Sequence, residues 1–140
     1  MKILLAVDGS AYTKKMLAYL VEHDELFGSA SQYTVFTAQP PLPPRAKAAV
    51  GAAAVASYQA EEAEKILAPV CKFLMQSGID AKSAWKVGHA GETIAKFASS
   101  GKFDVLVMGS HGHSALGNLV MGSVTTQVLA HSTVPVLLVR

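Results

Sequence analysis

Two segments of the 140-residue chain carry residue types that could hold an anion. The first reads Gly109-Ser110-His111-Gly112, continues through nine residues, 113–121, and ends on Gly122-Ser123. Without a Cβ, the backbone at Gly109 and Gly112 can come close to a ligand and take dihedrals closed to other residues. Gly122 and Ser123 stand where a helix should begin. Unpaired N–H groups and the positive end of a helix dipole favour an anion there, and the Ser123 hydroxyl adds a donor. This is the shape of a phosphate cradle. The second segment centres on Asp8, whose carboxylate could accept from sugar hydroxyls or meet a divalent cation bridging phosphates. A blander reading stays open for both. The glycines could merely turn a loop, Ser123 could cap a helix, and Asp8 could cap the turn that follows it.

The elements that must position these residues favour the ligand. Residues 3–7 form an unbroken apolar run closed by Asp8-Gly9-Ser10, as a parallel strand buried on both faces would. Met16, Leu17, Leu20 and Val21 then repeat at helical spacing behind Ser10, a favourable N-cap residue, and the pattern fades at Phe27-Gly28. Residues 33–38 read as a strand running into the proline-rich loop 40–44. Residues 46–76 are helical, with Ile66, Leu67, Val70, Phe73 and Leu74 as the apolar stripe and Pro69 expected to kink or split the helix. Residues 81–87 alternate, with Lys82 and Lys86 on one side, which suits an edge strand. A helix over 91–99, an apolar strand over 105–108, a helix over 122–130 and a strand over 134–139 complete the chain. Strand and helix alternating throughout predict a three-layer α/β sandwich with a five-stranded parallel sheet. Ligands of such sheets bind outside the carboxyl ends of the strands, where strand order reverses. Both Asp8 and the glycine loop lie at strand carboxyl ends.

Other residues have plainer readings. His111 and His113 lie within the glycine loop and could contact phosphate when protonated, but they are read as surface loop histidines, because an ordinary imidazole is mostly neutral at pH 7 and no further ligands accompany them. Cys71 falls on the apolar side of its helix and reads as an inert small hydrophobe. Trp85 reads as packing, and Glu61, Glu62 and Glu64 as a solvated helix face. Several phosphate and catalytic motifs are missing. There is no G-x-x-x-x-G-K-[ST], no G-x-G-x-x-G after the first strand, no acidic cluster of a phosphoreceiver and no G-x-S-x-G elbow. P-loop, dinucleotide and acyl-transfer readings therefore fall.

Composition sets outer bounds. A length of 140 residues predicts one domain, residues 1–140. With 51% hydrophobic and 16% charged residues the chain can bury a core, and a formal net charge of +2 argues against a nucleic-acid or anionic-membrane surface. One cysteine excludes an intramolecular disulfide. No apolar stretch reaches the length of a bilayer span, so a soluble, cytoplasmic protein is expected.

The chain resembles the universal stress proteins of the UspA type. Their nucleotide-binding members carry G-x2-G-x9-G-[ST], and Gly109, Gly112, Gly122 and Ser123 fill each fixed position. Val7-Asp8-Gly9-Ser10 and Val134-Pro135-Val136-Leu137-Leu138-Val139 agree in order and context. The resemblance implies a Rossmann-like sheet of the adenine nucleotide alpha hydrolase-like type, ordered 3-2-1-4-5. It also implies ATP, with Mg²⁺, in the cleft. Asp8 would then lie near the ribose and phosphates, and a metal would reach Asp8 only indirectly, through the phosphates. The Ala38 backbone would lie beside adenine and Gly109 by the ribose, with Gly112, Gly122 and Ser123 on the phosphates and the Val124 amide as an extra donor. The expected function is a nucleotide-responsive regulatory module in stress response. A slow ATPase or phosphotransferase and a nucleotide-free dimeric scaffold are the alternatives. No Lys or Arg lies between Gly109 and Ser123, which argues against efficient phosphoryl transfer. The uncharged strand 134–139, placed at a sheet edge by the resemblance, predicts a homodimer through that edge. The regulatory protein partner is not named by any residue pattern.

Overall fold

The computed structural model describes residues 1–28, 30–113 and 121–140. Its order is β1 (Lys2–Ala6), α1 (Ala11–Glu22), a 3₁₀ turn (Asp24–Leu26), β2 (Gln32–Gln39), α2 (Pro44–Val50), α3 (Ala52–Gln76), β3 (Ala81–Val87), α4 (Ala90–Ser100), β4 (Val105–Gly109), α5 (Ser123–His131) and β5 (Val136–Val139). The five strands form one parallel sheet in the order β3-β2-β1-β4-β5. This is the three-layer α/β sandwich and the strand order expected.

Strand alternation sorts the core into two faces. Ile3, Leu5, Val35 and Val107 point to the layer holding α1 and α3, where Met16, Leu20, Leu67 and Leu74 meet them. Leu4, Phe36, Leu106 and Met108 point the other way, onto α4 and α5 through Ile94, Ala98 and Val128. The chain steps from β1 outward to β3, then returns to β4 on the far side of β1. Crossovers of one hand put α1 and α3 on one face and α4 and α5 on the other, so a crevice opens between β1 and β4 at their carboxyl ends.

The long helical region departs from expectation. It breaks at Gly51, whose φ of 84° ends α2, and α3 then runs unbroken through Pro69. Pro69 lies on the exposed face, where water can reach the Lys65 carbonyl that lacks a helical donor. The proline therefore does not split the helix. Pro44, assigned to the loop, starts α2, where its fixed φ suits the first turn. The buried stripe of α3 is Val55, Gln59, Ala63, Leu67, Val70 and Leu74; Phe73, expected on it, is 38% exposed. Its place one turn-edge away from Val70 and Leu74 rotates it off the sheet. The edge reading of residues 81–87 holds: among the described residues β3 pairs only with β2, and Lys82 and Lys86 are exposed.

Candidate functional site

Each piece of the site follows from how a strand ends. After β1, the Val7 amide donates to the Phe36 carbonyl, and the chain turns at Asp8. Asp8 Oδ1 accepts from the Ser10 amide at 2.9 Å and from the Thr13 hydroxyl at 3.0 Å, while Thr13 Oγ1 accepts from the Asp8 amide at 3.1 Å. Asp8 thus caps the first turn of α1, and Thr13 fixes the carboxylate's orientation. Ser10 occupies the N-cap position but makes no capping bond, and its buried Oγ has no hydrogen-bond partner. The expected Ser10 cap is therefore supplied by Asp8 instead, because the carboxylate reaches the first free amide of the turn.

After β4 the glycine loop is pinned at its base. The Gly122 amide donates to the Ser110 carbonyl at 2.8 Å, and the Ser110 amide to the Val139 carbonyl at 2.9 Å. The buried Thr125 hydroxyl lies 3.2 Å from the Gly109 carbonyl and 3.1 Å from that of Ser110. Gly122 takes the N-cap position of α5, and Ser123 is its first residue and exposed. Ser123 is therefore not the cap. The first-turn amides of α5 open beside its hydroxyl.

The motif glycines are required by close packing within the protein. A Cβ on Gly109 would lie 2.8 Å from Tyr12 Cβ and 3.1 Å from the Tyr12 carbonyl oxygen. On Gly112 it would lie 2.7 Å from Asp8 Oδ2, and on Gly122 3.2 Å from His111 Cα. Gly109 lets α1 approach β4, Gly112 lets the loop approach the Asp8 carboxylate, and Gly122 lets α5 begin against the loop's base.

These pieces surround one cleft of about 270 Å³ at the carboxyl ends of β1, β2 and β4. Asp8, Ala38, Gly109, Gly112, Gly122, Ser123 and Val124, all the residues singled out in the sequence, line it together. Ala38, Ala90, Ile94, Met108 and Val124 make one wall apolar, while Asp8 and the loop make the other polar. Among the described lining residues there is no Lys or Arg. Sequence reasoning passed over Thr13, Thr125 and Thr37 and read both histidines as surface loop residues; all five also line the cleft. The i, i+5 spacing of Asp8 and Thr13 was a readable signal for the first.

The histidines are more than surface loop residues. His111 Nδ1 lies 2.8 Å from Ser110 Oγ, and its ring packs on Tyr12 with centroids 4.7 Å apart. His113 Nε2–H donates to the Asp8 carbonyl at 2.7 Å, tying the loop to the β1–α1 turn. Cys71, in α3, is partly buried, and burial followed by the Glu64 charge pushes its thiol pKa up, in keeping with an inert thiol. Among the described residues, no group of three His, Cys, Asp or Glu side chains could hold a metal by itself, and no helix is long and apolar enough to cross a membrane.

The model of the universal stress protein family matches residues 1–140. The chain belongs to the universal stress protein family. Universal stress protein Slr1230 of Synechocystis is 34% identical to this universal stress protein over 139 residues, 99% of this chain and 42% of its own length. A Thermus aquaticus universal stress protein is 33% identical over 99% of this chain and 97% of its own. The chain thus spans less than half of Slr1230 but nearly all of the Thermus protein. The solved structure of MJ0577, a universal stress protein of Methanocaldococcus jannaschii, superposes with a TM-score of 0.81 at 28% identity, covering 99% of this chain and 94% of that one. More distant solved members share the fold. One is in complex with cAMP (TM-score 0.71, 21% identity, covering 100% and 97% of the two chains). Another, from Archaeoglobus fulgidus, is in complex with dAMP (TM-score 0.68, 21%, covering 100% and 98%).

Proposed function

We propose that this universal stress protein binds an adenine nucleotide, ATP in the first instance, in the cleft between β1 and β4 and acts as a nucleotide-responsive regulatory module. The observation that carries the reading is the convergence of Asp8, Ala38 and the Gly109–Ser123 loop ends on one cleft at the switch point of the sheet. The apolar wall of Ala38, Ala90, Ile94 and Met108 suits a base. The N–H groups of Ser123 and Val124 at the start of α5 suit phosphates, and the adenine nucleotides held by other family members support that assignment. Asp8 also fits Mg²⁺ carried in with the nucleotide. Its Oδ1 is engaged by Ser10 and Thr13, whereas Oδ2 faces Gly112, and one carboxylate plus phosphates is an ordinary Mg²⁺ environment. The ion would supply charge neutralisation at the phosphates.

Binding is favoured over catalysis because the described lining holds no cationic side chain for a transferring phosphoryl group. Turnover below about 1 s⁻¹ is expected, against roughly 1–100 s⁻¹ for kinases. Mass spectrometry of small molecules released from freshly purified protein should show an adenine nucleotide, and calorimetry should show ATP–Mg²⁺ binding. A protein that carries none and binds none would overturn the reading and favour a nucleotide-free scaffold.

The same reading includes a homodimer through residues 134–139. Among the described residues the outer edge of β5 pairs with no other strand, and Val136, Leu137 and Leu138 are only half-buried. Antiparallel pairing with a second copy would cover that edge. Light scattering should give twice 14.7 kDa, and Val136→Lys with Leu138→Lys should shift the mass toward monomer while circular dichroism is retained. A monomeric parent protein at micromolar concentration would remove the dimer from the proposal.

A further inference from the structure

Helix α5 begins without a cap of its own. Gly122 at the N-cap position has no side chain to offer, and no other side chain caps the first turn. Ser123 is exposed and Val124 only half-buried. The buried hydroxyl of Thr125, at the third helical position, turns back onto the end of β4 instead. Its Oγ1 lies 3.1 Å from the Ser110 carbonyl oxygen and 3.2 Å from that of Gly109. Carbonyls only accept, so the single hydroxyl hydrogen is shared between the two. The Ser110 carbonyl thereby accepts twice, from Thr125 and from the Gly122 amide at 2.8 Å. Gly122 and Thr125 lie three residues apart and share a helix face. That face is what the end of β4 holds.

The amides of a helix's first turn point along its axis, so the direction of the axis decides where the N–H groups of Ser123 and Val124 aim. Among the described residues neither amide has a hydrogen-bond partner. The first fully buried apolar anchor of α5 is Val128, three residues beyond Thr125. Ahead of it, the hydrogen bonds to Ser110 and Gly109 fix the axis. We infer that Thr125 is a positioning residue of the phosphate site, whose hydroxyl, without touching the ligand, holds the start of α5 so that the Ser123 and Val124 amides face the cleft. This rests on the proposed nucleotide binding. Without the clasp, the Gly122 bond alone is a pivot about which the first turn can tilt. The effect is selective for phosphate. The apolar wall offered to a base, Ala38, Ala90, Ile94 and Met108, stands on β2, α4 and β4 and not on α5.

The test measures ATP–Mg²⁺ binding by calorimetry and adenosine binding by NMR titration to millimolar concentration, on the full chain, for the parent, Thr125→Val and Thr125→Ser. Valine keeps the shape and removes the hydroxyl, whereas serine keeps the hydroxyl. Thr125→Val should bind ATP at least about 10-fold more weakly than the parent, the scale of one charge-assisted hydrogen bond to phosphate, and adenosine within about twofold of it. Thr125→Ser should recover ATP affinity to within about threefold, since the donor is retained. Losing the clasp lowers stability whatever its role, so the readout is the split between the two ligands, which a merely structural hydroxyl would not produce. Unchanged ATP affinity in folded Thr125→Val would overturn the role. Equal losses for ATP and adenosine would show the hydroxyl supporting the whole cleft and would overturn it too. Should Thr125→Val fail to fold, Thr125→Cys against Thr125→Ser makes the same comparison, with a weak thiol donor in place of the hydroxyl. No ATP binding by the parent would overturn the proposed function and this role with it, whereas the preceding outcomes leave nucleotide binding standing.

Discussion

Replacing Gly109 with alanine separates two reasons for a glycine at the end of β4. If the position serves a ligand, Gly109→Ala should weaken nucleotide binding and leave the fold alone. If it serves the approach of α1, the loss should appear in stability. The geometry points to the second. The added Cβ would sit 2.8 Å from Tyr12 Cβ and 3.1 Å from the Tyr12 carbonyl oxygen, whereas carbon atoms rest at about 3.5–4.0 Å. The obstacle includes the helix backbone, which cannot swing aside as a side-chain tip would. Helix α1 must move by about 1 Å, and it is held by Met16, Leu17 and Leu20 packed in the core. Overpacking of this kind costs about 1–3 kcal/mol. At this chain length that is a fall of roughly 3–12 °C in Tm. Urea unfolding followed by circular dichroism measures the first figure and a thermal scan the second. A variant as stable as the parent but deficient in ATP binding would refute the packing argument and return Gly109 to the ligand.

Three further outcomes follow from the β1–α1 turn and α3. Ser10→Ala should leave stability unchanged or raise it by up to about 1 kcal/mol, although loss of a capping serine ordinarily costs about 1 kcal/mol. The buried Oγ has no partner to lose, and a clear destabilisation in urea would show that it has one. Thr13→Ala removes both hydrogen bonds to Asp8 and should cost about 1–3 kcal/mol together with ATP affinity, while Thr13→Ser should recover most of both; failure of serine to rescue would implicate the methyl group instead. Cys71 should react with a thiol reagent at pH 8 more slowly than an unstructured cysteine peptide, since burial and then Glu64 hold the neutral thiol to higher pH. The difference should vanish in urea, and equal rates in the native protein would contradict the burial.

What the sequence made legible depended on whether a signal was local. Residues 3–6 and 105–108 are apolar without interruption because both faces of a central strand are covered. The spacing of Gly109, Gly112, Gly122 and Ser123 marked one side of the cleft and Asp8 the other, so all seven singled-out residues meet there. Their reasons were less legible. A glycine that yields to Tyr12 cannot be told from one that yields to a phosphate when the contacting residue lies 97 positions away. The break at Gly51 was hidden in alanine-rich text that favours helix on both sides, and Pro69 drew attention that belonged to the glycine. Thr125 and His113 act on backbone carbonyls of distant segments. A residue type alone carries no record of such partners.

The bond from the Gly122 amide to the Ser110 carbonyl has a consequence for how this protein can be altered. It closes the intervening chain into a circuit whose two ends are fixed by β4 and α5, with Thr125 as a second clasp. The entropy of closing such a circuit grows only with the logarithm of its length, and doubling the loop adds about 0.6 kcal/mol. Residues could therefore be added between the clasps at small thermodynamic cost, without moving Gly122, Ser123 or the amides that follow. A recognition peptide or a fluorescent reporter grafted there would be tethered at both ends to residues that line the cleft.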